Sequence, residues 1–227
     1  MVQGFPVVIG FSRSMRFKRL WQLALAAGLL WASAALAAPT TVMVMGDSLS
    51  AAYGIEREFG WVNLLSKRLD DDVEIVNASI SGETTSGGAA RLPELLGQHD
   101  PDIVLLELGG NDGLRGLPPG QMRANLARMI EASQDAGAKV LLLGIEVPPN
   151  YGQAYTDAFR RVYQGLADEY GIPLVPFLLE GIALDKSLMQ NDGIHPTAAA
   201  QPRILDNVWP TLESLLTEER QLAEQQG

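Results

Sequence analysis

"TVMVMGDSLSAAYG", residues 41–54, climbs through an apolar run of strand type and breaks at Met45 into Gly-Asp-Ser. Taken alone, Gly-Asp-Ser is an ordinary turn: Gly supplies unusual φ/ψ, and Asp and Ser bond back to nearby backbone. The rest of the chain gives the break a different weight. Four further runs read as strands: "VEIVNA" (73–78), "DIVLLEL" (102–108), "KVLLLGI" (139–145) and "PLVPF" (173–177). Between them lie helical patterns at 60–70, 86–96, 120–137 and 151–171, and a last one covers 197–216. Pro202 and Pro210 start or kink that helix. "DIVLLEL" and "KVLLLGI" are nearly continuously apolar, as strands buried on both faces are. Strand–helix alternation with such strands predicts a parallel sheet covered by helices on both faces. In sheets of this kind ligands collect beyond the carboxyl ends of the strands. Gly46-Asp47-Ser48 falls at that edge, so Ser48 is held by a rigid strand yet open to substrate.

The N-terminus does not read as part of this fold. Arg16, Lys18 and Arg19 precede the apolar run "LWQLALAAGLLWASAALAA", which ends in Ala35-Leu36-Ala37. A basic cluster, an apolar run and an Ala-x-Ala site together make a secretory signal peptide. Met15 stands directly before the basic cluster and is a candidate start. Residues 1–37 are therefore read as extension plus signal, 38–217 as one domain, and the polar 218–227 as a frayed tail. Four of the 17 basic residues and none of the 27 acidic ones lie before Ala38, so cleavage takes the net charge from −10 to −14. That charge repels nucleic acid and anionic lipid head groups and argues against a nucleic-acid partner. The absence of Cys excludes disulfides, a thiolate nucleophile and Cys-ligated metal. Export without disulfides fits a bacterial periplasmic or secreted protein, with no stable membrane insertion after signal removal, acting as a monomer.

Three more strand ends carry polar groups. Ser79, Ser81, Gly82 and Glu83 follow "VEIVNA", Gly109–Asp112 follows "DIVLLEL", and Asp192 stands three residues before His195 in "QNDGIHP". A serine needs a neighbouring base to act as a nucleophile, and His is the usual base near neutral pH. The chain has two His. His99, in "GQHDPD", reads as a solvated loop residue at the wrong end of a strand, which leaves His195. Asp192 can reach its Nδ1–H, fixing the tautomer and stabilising the imidazolium. An oxyanion needs donors, and three are at hand: the Ser48 N–H, the Gly82 N–H and the Asn111 side-chain amide.

"GDSLS", "NASISGET", "GGND" and "DGIHP" resemble, in order and spacing, the four blocks of the GDSL or SGNH hydrolase family. The letters S, G, N and H fall on Ser48, Gly82, Asn111 and His195. The resemblance covers about Thr41 to Leu216 and is closest to the branch of bacterial periplasmic acyl hydrolases and arylesterases. It implies a flavodoxin-like three-layer α/β/α fold with a mainly parallel five-stranded sheet. It also implies hydrolysis of aryl and alkyl esters, lysophospholipids and acyl thioesters, with no cofactor and no metal. Asp47 and Asp112 belong to the same blocks and are expected to brace the turns rather than react. "GLRGLPP" (113–119) resembles the mobile loop that covers bound acyl chains in that branch, lined by Leu114, Leu117 and Pro118. "IEVPPNYG" (145–152) is expected to form another wall through Glu146 and Val147, and Glu146 does not suit a polyanionic CoA head group.

Four other readings compete. A carbohydrate deacetylase of the same family would share these residues but would need an aromatic-lined surface, and aromatics make up only 7%. A catalytically silent binding module would not need Ser48, Asp192, His195, Gly82 and Asn111 together. A metalloenzyme lacks ligands, with two His and no His-x-x-x-His pair. An α/β-hydrolase would carry Gly-x-Ser-x-Gly, and Ser48 lies in Gly-Asp-Ser-Leu-Ser instead.

Overall fold

Five short strands alternate with helices along the chain. β1 is Thr40–Gly46, α1 Trp61–Arg68, β2 Val73–Asn77, α2 Thr85–His99 and β3 Ile103–Glu107. There follow α3 (Gly110–Leu114), α4 (Pro119–Asp135), β4 (Lys139–Leu143), α5 (Gln153–Tyr170), β5 (Leu174–Val175) and α6 (Gln201–Gln226). The computed structural model describes residues 1–4 and 39–226. The expected signal peptide and the start at Met15 lie outside the described residues. Residues 38–227 form one compact unit.

The strands make one sheet in the order β2-β1-β3-β4-β5, and every pair is parallel. This is the flavodoxin-like order, and its switch point lies between β1 and β3. β3 is buried at all five positions, and β1 is buried from Val42 onward. Helices cover both faces, which is why these strands read as continuous apolar runs. β2, at the edge, is nowhere fully buried. β5 is shorter than its apolar run because Pro173 and Pro176 bracket it, and proline has no N–H to give the ladder.

The segment read as a frayed tail is helical instead. α6 runs without a break to Gln226. Lys139, at the start of β4, bonds to Glu218 and Glu219, each at 3.0 Å. Arg220 reaches Asp72 at 3.1 Å and Asp70 at 3.3 Å. Each pair is worth ~0–1 kcal/mol at a surface, but together they tie Glu218, Glu219 and Arg220 to residues at the starts of β2 and β4. Pro202 sits in the first turn of α6, where its missing N–H costs nothing, and Pro210 lies within the helix.

Candidate active site

β1 ends where its backbone meets two polar side chains. A Cβ on Gly46 would lie 2.7 Å from Glu107 Oε2 and 2.8 Å from the Ser50 side chain. Only glycine lets the strand close there, which accounts for the abrupt Gly-Asp-Ser. The turn beyond is held by its own groups. Asp47 Oδ1 accepts the Leu49 N–H at 3.0 Å, and the Asp47 carbonyl accepts the Ala51 N–H. Ser48 emerges half-buried from this frame.

The neighbouring strand ends are stitched to the same point. The Ile80 N–H bonds to the Gly46 carbonyl, and Asn77 Nδ2 donates to the Ser50 carbonyl. Gly82 follows with φ +81°, a conformation that favours glycine, and open space lies where its Cβ would be. Beyond β3, Gly109 adopts φ +126°, and a Cβ there would come 2.3 Å from the Tyr163 hydroxyl. The chain then enters α3 with Asn111 beside the serine turn, and Asn111 Nδ2 donates to Asp47 Oδ2 at 3.0 Å. Asp112 turns inward and accepts from the Thr85 N–H at 2.8 Å and the Thr85 hydroxyl at 2.5 Å. It thereby clamps α3 to the start of α2. Asp47 and Asp112 brace turns, as expected.

The last component comes from the loop before α6. His195 Nε2 lies 2.9 Å from Ser48 Oγ, and His195 Nδ1 lies 2.7 Å from Asp192 Oδ2. Asp192 Oδ1 accepts the Ile194 and His195 N–H groups at 2.9 and 3.0 Å. Burial alone would raise its pKa. The bonds from the His195 N–H, the imidazole and the Ile194 N–H outweigh that and hold the carboxyl at about 2. Asp192 is thus ionised at neutral pH and aimed at the imidazole. Asp47 goes the other way: burial pushes it up to about 6, against the opposing bonds from Leu49 and Asn111. The Asp192 carboxylate holds the imidazole by Nδ1, the Ser48 hydroxyl lies within reach of Nε2, and one N–H of the Asn111 amide is left over from its bond to Asp47.

The model of the GDSL-like lipase/acylhydrolase family matches residues 44–202. The chain belongs to that family. Esterase TesA of Pseudomonas aeruginosa is 57% identical over 183 residues, 79% of this chain and 91% of that protein. Thioesterase 1/protease 1/lysophospholipase L1 of Escherichia coli K12 is 46% identical over 180 residues, 79% of this chain and 86% of that one. A crystal structure of TesA superposes with a TM-score of 0.76 at 56% identity, covering 78% of this chain and 99% of that one. This GDSL-family chain is a carboxylic ester hydrolase.

In this GDSL-family chain hydrogen bonds join Ser48, His195 and Asp192 and tie Asn111 to the serine turn through Asp47, and Gly82 lies in the loop after β2. Leu114 and Leu117 are half-buried, and Pro118 is exposed. Their loop is pinned: the Tyr151 hydroxyl donates to the Leu114 carbonyl at 2.7 Å and the Tyr155 hydroxyl to the Leu117 carbonyl at 2.8 Å. Val147 is buried against Gly113 and Phe159 rather than facing an open wall. Glu146 is ion-paired with Arg160 at 2.8 Å, so its charge is largely spent and cannot by itself repel an anionic head group. His99 is the last residue of α2 and exposed, four residues before the start of β3, whose other end carries the site.

Four residues near the site were not picked out of the sequence. Tyr53 packs on the His195 ring with centroids 4.4 Å apart. Gln190 Nε2 bonds to the Tyr53 and Pro196 carbonyls, each at 2.9 Å, and so joins the histidine loop to the serine turn. Arg115 Nη2 donates to the Gly82 carbonyl at 3.1 Å, bringing a cation to the mouth. Glu107 lies fully buried behind the serine turn. Only Glu107 carried a visible signal, as a lone acid in an otherwise apolar strand.

Proposed function

We propose that Ser48, His195 and Asp192 cleave the ester as a triad through an acyl-enzyme. His195 Nε2 takes the Ser48 hydroxyl proton as Oγ bonds to the acyl carbon. The carbonyl oxygen becomes an oxyanion and accepts from the Ser48 N–H, the Gly82 N–H and the free N–H of Asn111. Collapse breaks the bond to the leaving oxygen or sulfur, which takes the proton from His195. Water then gives a proton to His195 as it attacks the acyl-enzyme, and collapse of the second tetrahedral adduct breaks the bond to Ser48 Oγ, which takes the proton back from His195 as the acid leaves. The observation that carries this reading is the unbroken chain Ser48 Oγ–His195 Nε2 at 2.9 Å and His195 Nδ1–Asp192 Oδ2 at 2.7 Å.

The substrates we assign are neutral aryl and alkyl esters, lysophospholipids and acyl thioesters. Exposed Tyr53, Ile80 and Ile194, neighbours in sequence of the Ser48, Gly82 and His195 motifs, offer apolar surface for an acyl or aryl group. The esterase and thioesterase/lysophospholipase names of the relatives point the same way. Among the described residues no helix is long and apolar enough to cross a membrane. We read the enzyme as exported through its N-terminal signal and acting as a monomer.

An organophosphonate should label Ser48 alone. Ser48→Ala should fold with an unchanged melting temperature and lose ester hydrolysis by about 10³-fold or more. Label on another serine, or near-full activity in the alanine variant, would remove the triad assignment.

A further inference from the structure

Directly behind the nucleophile lies a buried acid that the reaction above does not use. Glu107 is the last residue of β3 and has no solvent exposure. Its Oε2 accepts the Asp47 N–H at 3.1 Å and the Ser50 hydroxyl at 2.8 Å. Its Oε1 is buried with no donor facing it. The Asp47 carboxyl, itself buried, stands within hydrogen-bonding reach of the Glu107 carboxyl. The other titratable groups around the pair are Asp112 from α3, the Tyr163 phenol from α5 and His195 from the loop before α6. None is a lysine or arginine.

Two adjacent carboxylates cannot both stay ionised in a dry interior without a cation, so one keeps its proton. Asp47 has a donor on each oxygen, the Leu49 N–H on Oδ1 and the Asn111 amide on Oδ2, whereas both donors to Glu107 fall on Oε2. Glu107 has an oxygen with no donor, the mark of a hydroxyl that must itself donate. The proton therefore belongs on Glu107, and the Asp47 carboxylate is the acceptor in reach.

We propose that Glu107 is a positioning residue that remains a neutral carboxylic acid at neutral pH, donates to Asp47, and so fixes the Ser48 turn and the Asn111 amide in one unit. Burial and the Asp47 charge both push the Glu107 carboxyl well above the usual range, in agreement with this assignment. Glu107 holds the turn at three points: the Asp47 N–H, the Ser50 hydroxyl and the Asp47 side chain. Asp47 in turn orients Asn111. A loosened turn would misplace nucleophile and oxyanion donor together. The proposal rests on the roles given above to Ser48 and Asn111.

Glutamine reproduces a neutral acid, with one oxygen to accept and an amide to donate. Glu107→Gln should keep kcat within a few-fold, whereas Glu107→Ala should lower kcat by about 10²-fold with KM little changed. At alkaline pH the wild type should lose kcat as the shared proton leaves, and E107Q should stay flat there. Infrared spectra at neutral pH read the proton directly: a protonated-carboxyl band in the wild type that is absent in E107Q. The band should persist in Ser48→Ala, which separates this test from that of the triad. A wild type without the band, an E107Q as impaired as Glu107→Ala, or a Glu107→Ala with full kcat would each overturn the proposal. If Glu107→Ala does not fold, the band and the E107Q pH profile decide.

Discussion

Asn111 and Asp192 show how single side chains divide the work at this site. Asn111 gives one amide hydrogen to Asp47, and in the proposed mechanism the other serves the oxyanion. That contact tightens only as charge develops, so Asn111→Ala should lower kcat by about 10²–10³-fold and raise KM little. Unchanged kcat with raised KM would make Asn111 a binding residue instead. Asp192 has a second, thermodynamic signature. Its folded pKa, about 2, lies below the ordinary value of 3.8. Its contribution to stability is therefore present above about pH 4 and is lost as pH falls through 2. Denaturant titrations should show Asp192→Asn less stable than wild type at pH 5, with the gap closing towards pH 2. Asp47 and Glu107 have the opposite sign. Their raised pKa values make folding take up protons, so their contribution weakens as pH rises from about 4. E107Q lacks the Glu107 part of that decline and should gain on the wild type between pH 5 and pH 8. A gap that is constant with pH would show that Glu107 titrates alike folded and unfolded.

At the scale of elements, what matters is how separate strand ends are tied into one site. The β1 turn and the β2 loop share the Ile80–Gly46 bond, α2 and α3 share the Asp112–Thr85 clamp, and Gln190 joins the histidine loop to Tyr53. The 113–119 loop is held to its neighbours by side-chain bonds at three points. It carries the Tyr151 and Tyr155 hydroxyl bonds and the Arg115 bond to Gly82. Removing both hydroxyls in Tyr151→Phe/Tyr155→Phe costs two hydrogen bonds of about 0.5–1.5 kcal/mol each. The loss falls on local opening rather than on the sheet. Trypsin should then cut after Arg115 faster in the double variant, with the global unfolding midpoint little changed. Equal cleavage rates would show that the hydroxyls do not restrain the loop.

Cleavage of the proposed signal after Ala37 would take the charge of the molecule from −10 to −14. Acyl-CoA brings several phosphate charges of the same sign. Repulsion slows encounter, and salt screens it over a Debye length of ~10 Å at 0.1 M. Salt should therefore raise kcat/KM for acyl-CoA and leave a neutral ester of equal chain length nearly unchanged. Glu146→Gln should not narrow the gap between the two substrates, because Arg160 already pairs with Glu146. A salt effect common to both substrates would show that overall charge does not govern the choice.

Much of this was legible in one dimension. Buried strands must be apolar throughout, parallel strands need helical crossovers, and a reactive edge needs small and polar residues, so periodicity located the sheet and its edge, and the four motifs supplied the residues of the proposed triad. Helix α6 ran past its expected end because Lys139 and the Asp70/Asp72 pair lie far away in sequence, and local polarity alone suggested fraying. The pairing of Glu146, the Tyr53 stack and the Gln190 link likewise depend on partners that only folding brings near. Glu107 stood in plain view as an acid in an apolar strand, but what makes it matter is Asp47, 60 residues away, and burial without a cation. Burial and proximity set protonation, and both exist only once the chain has folded.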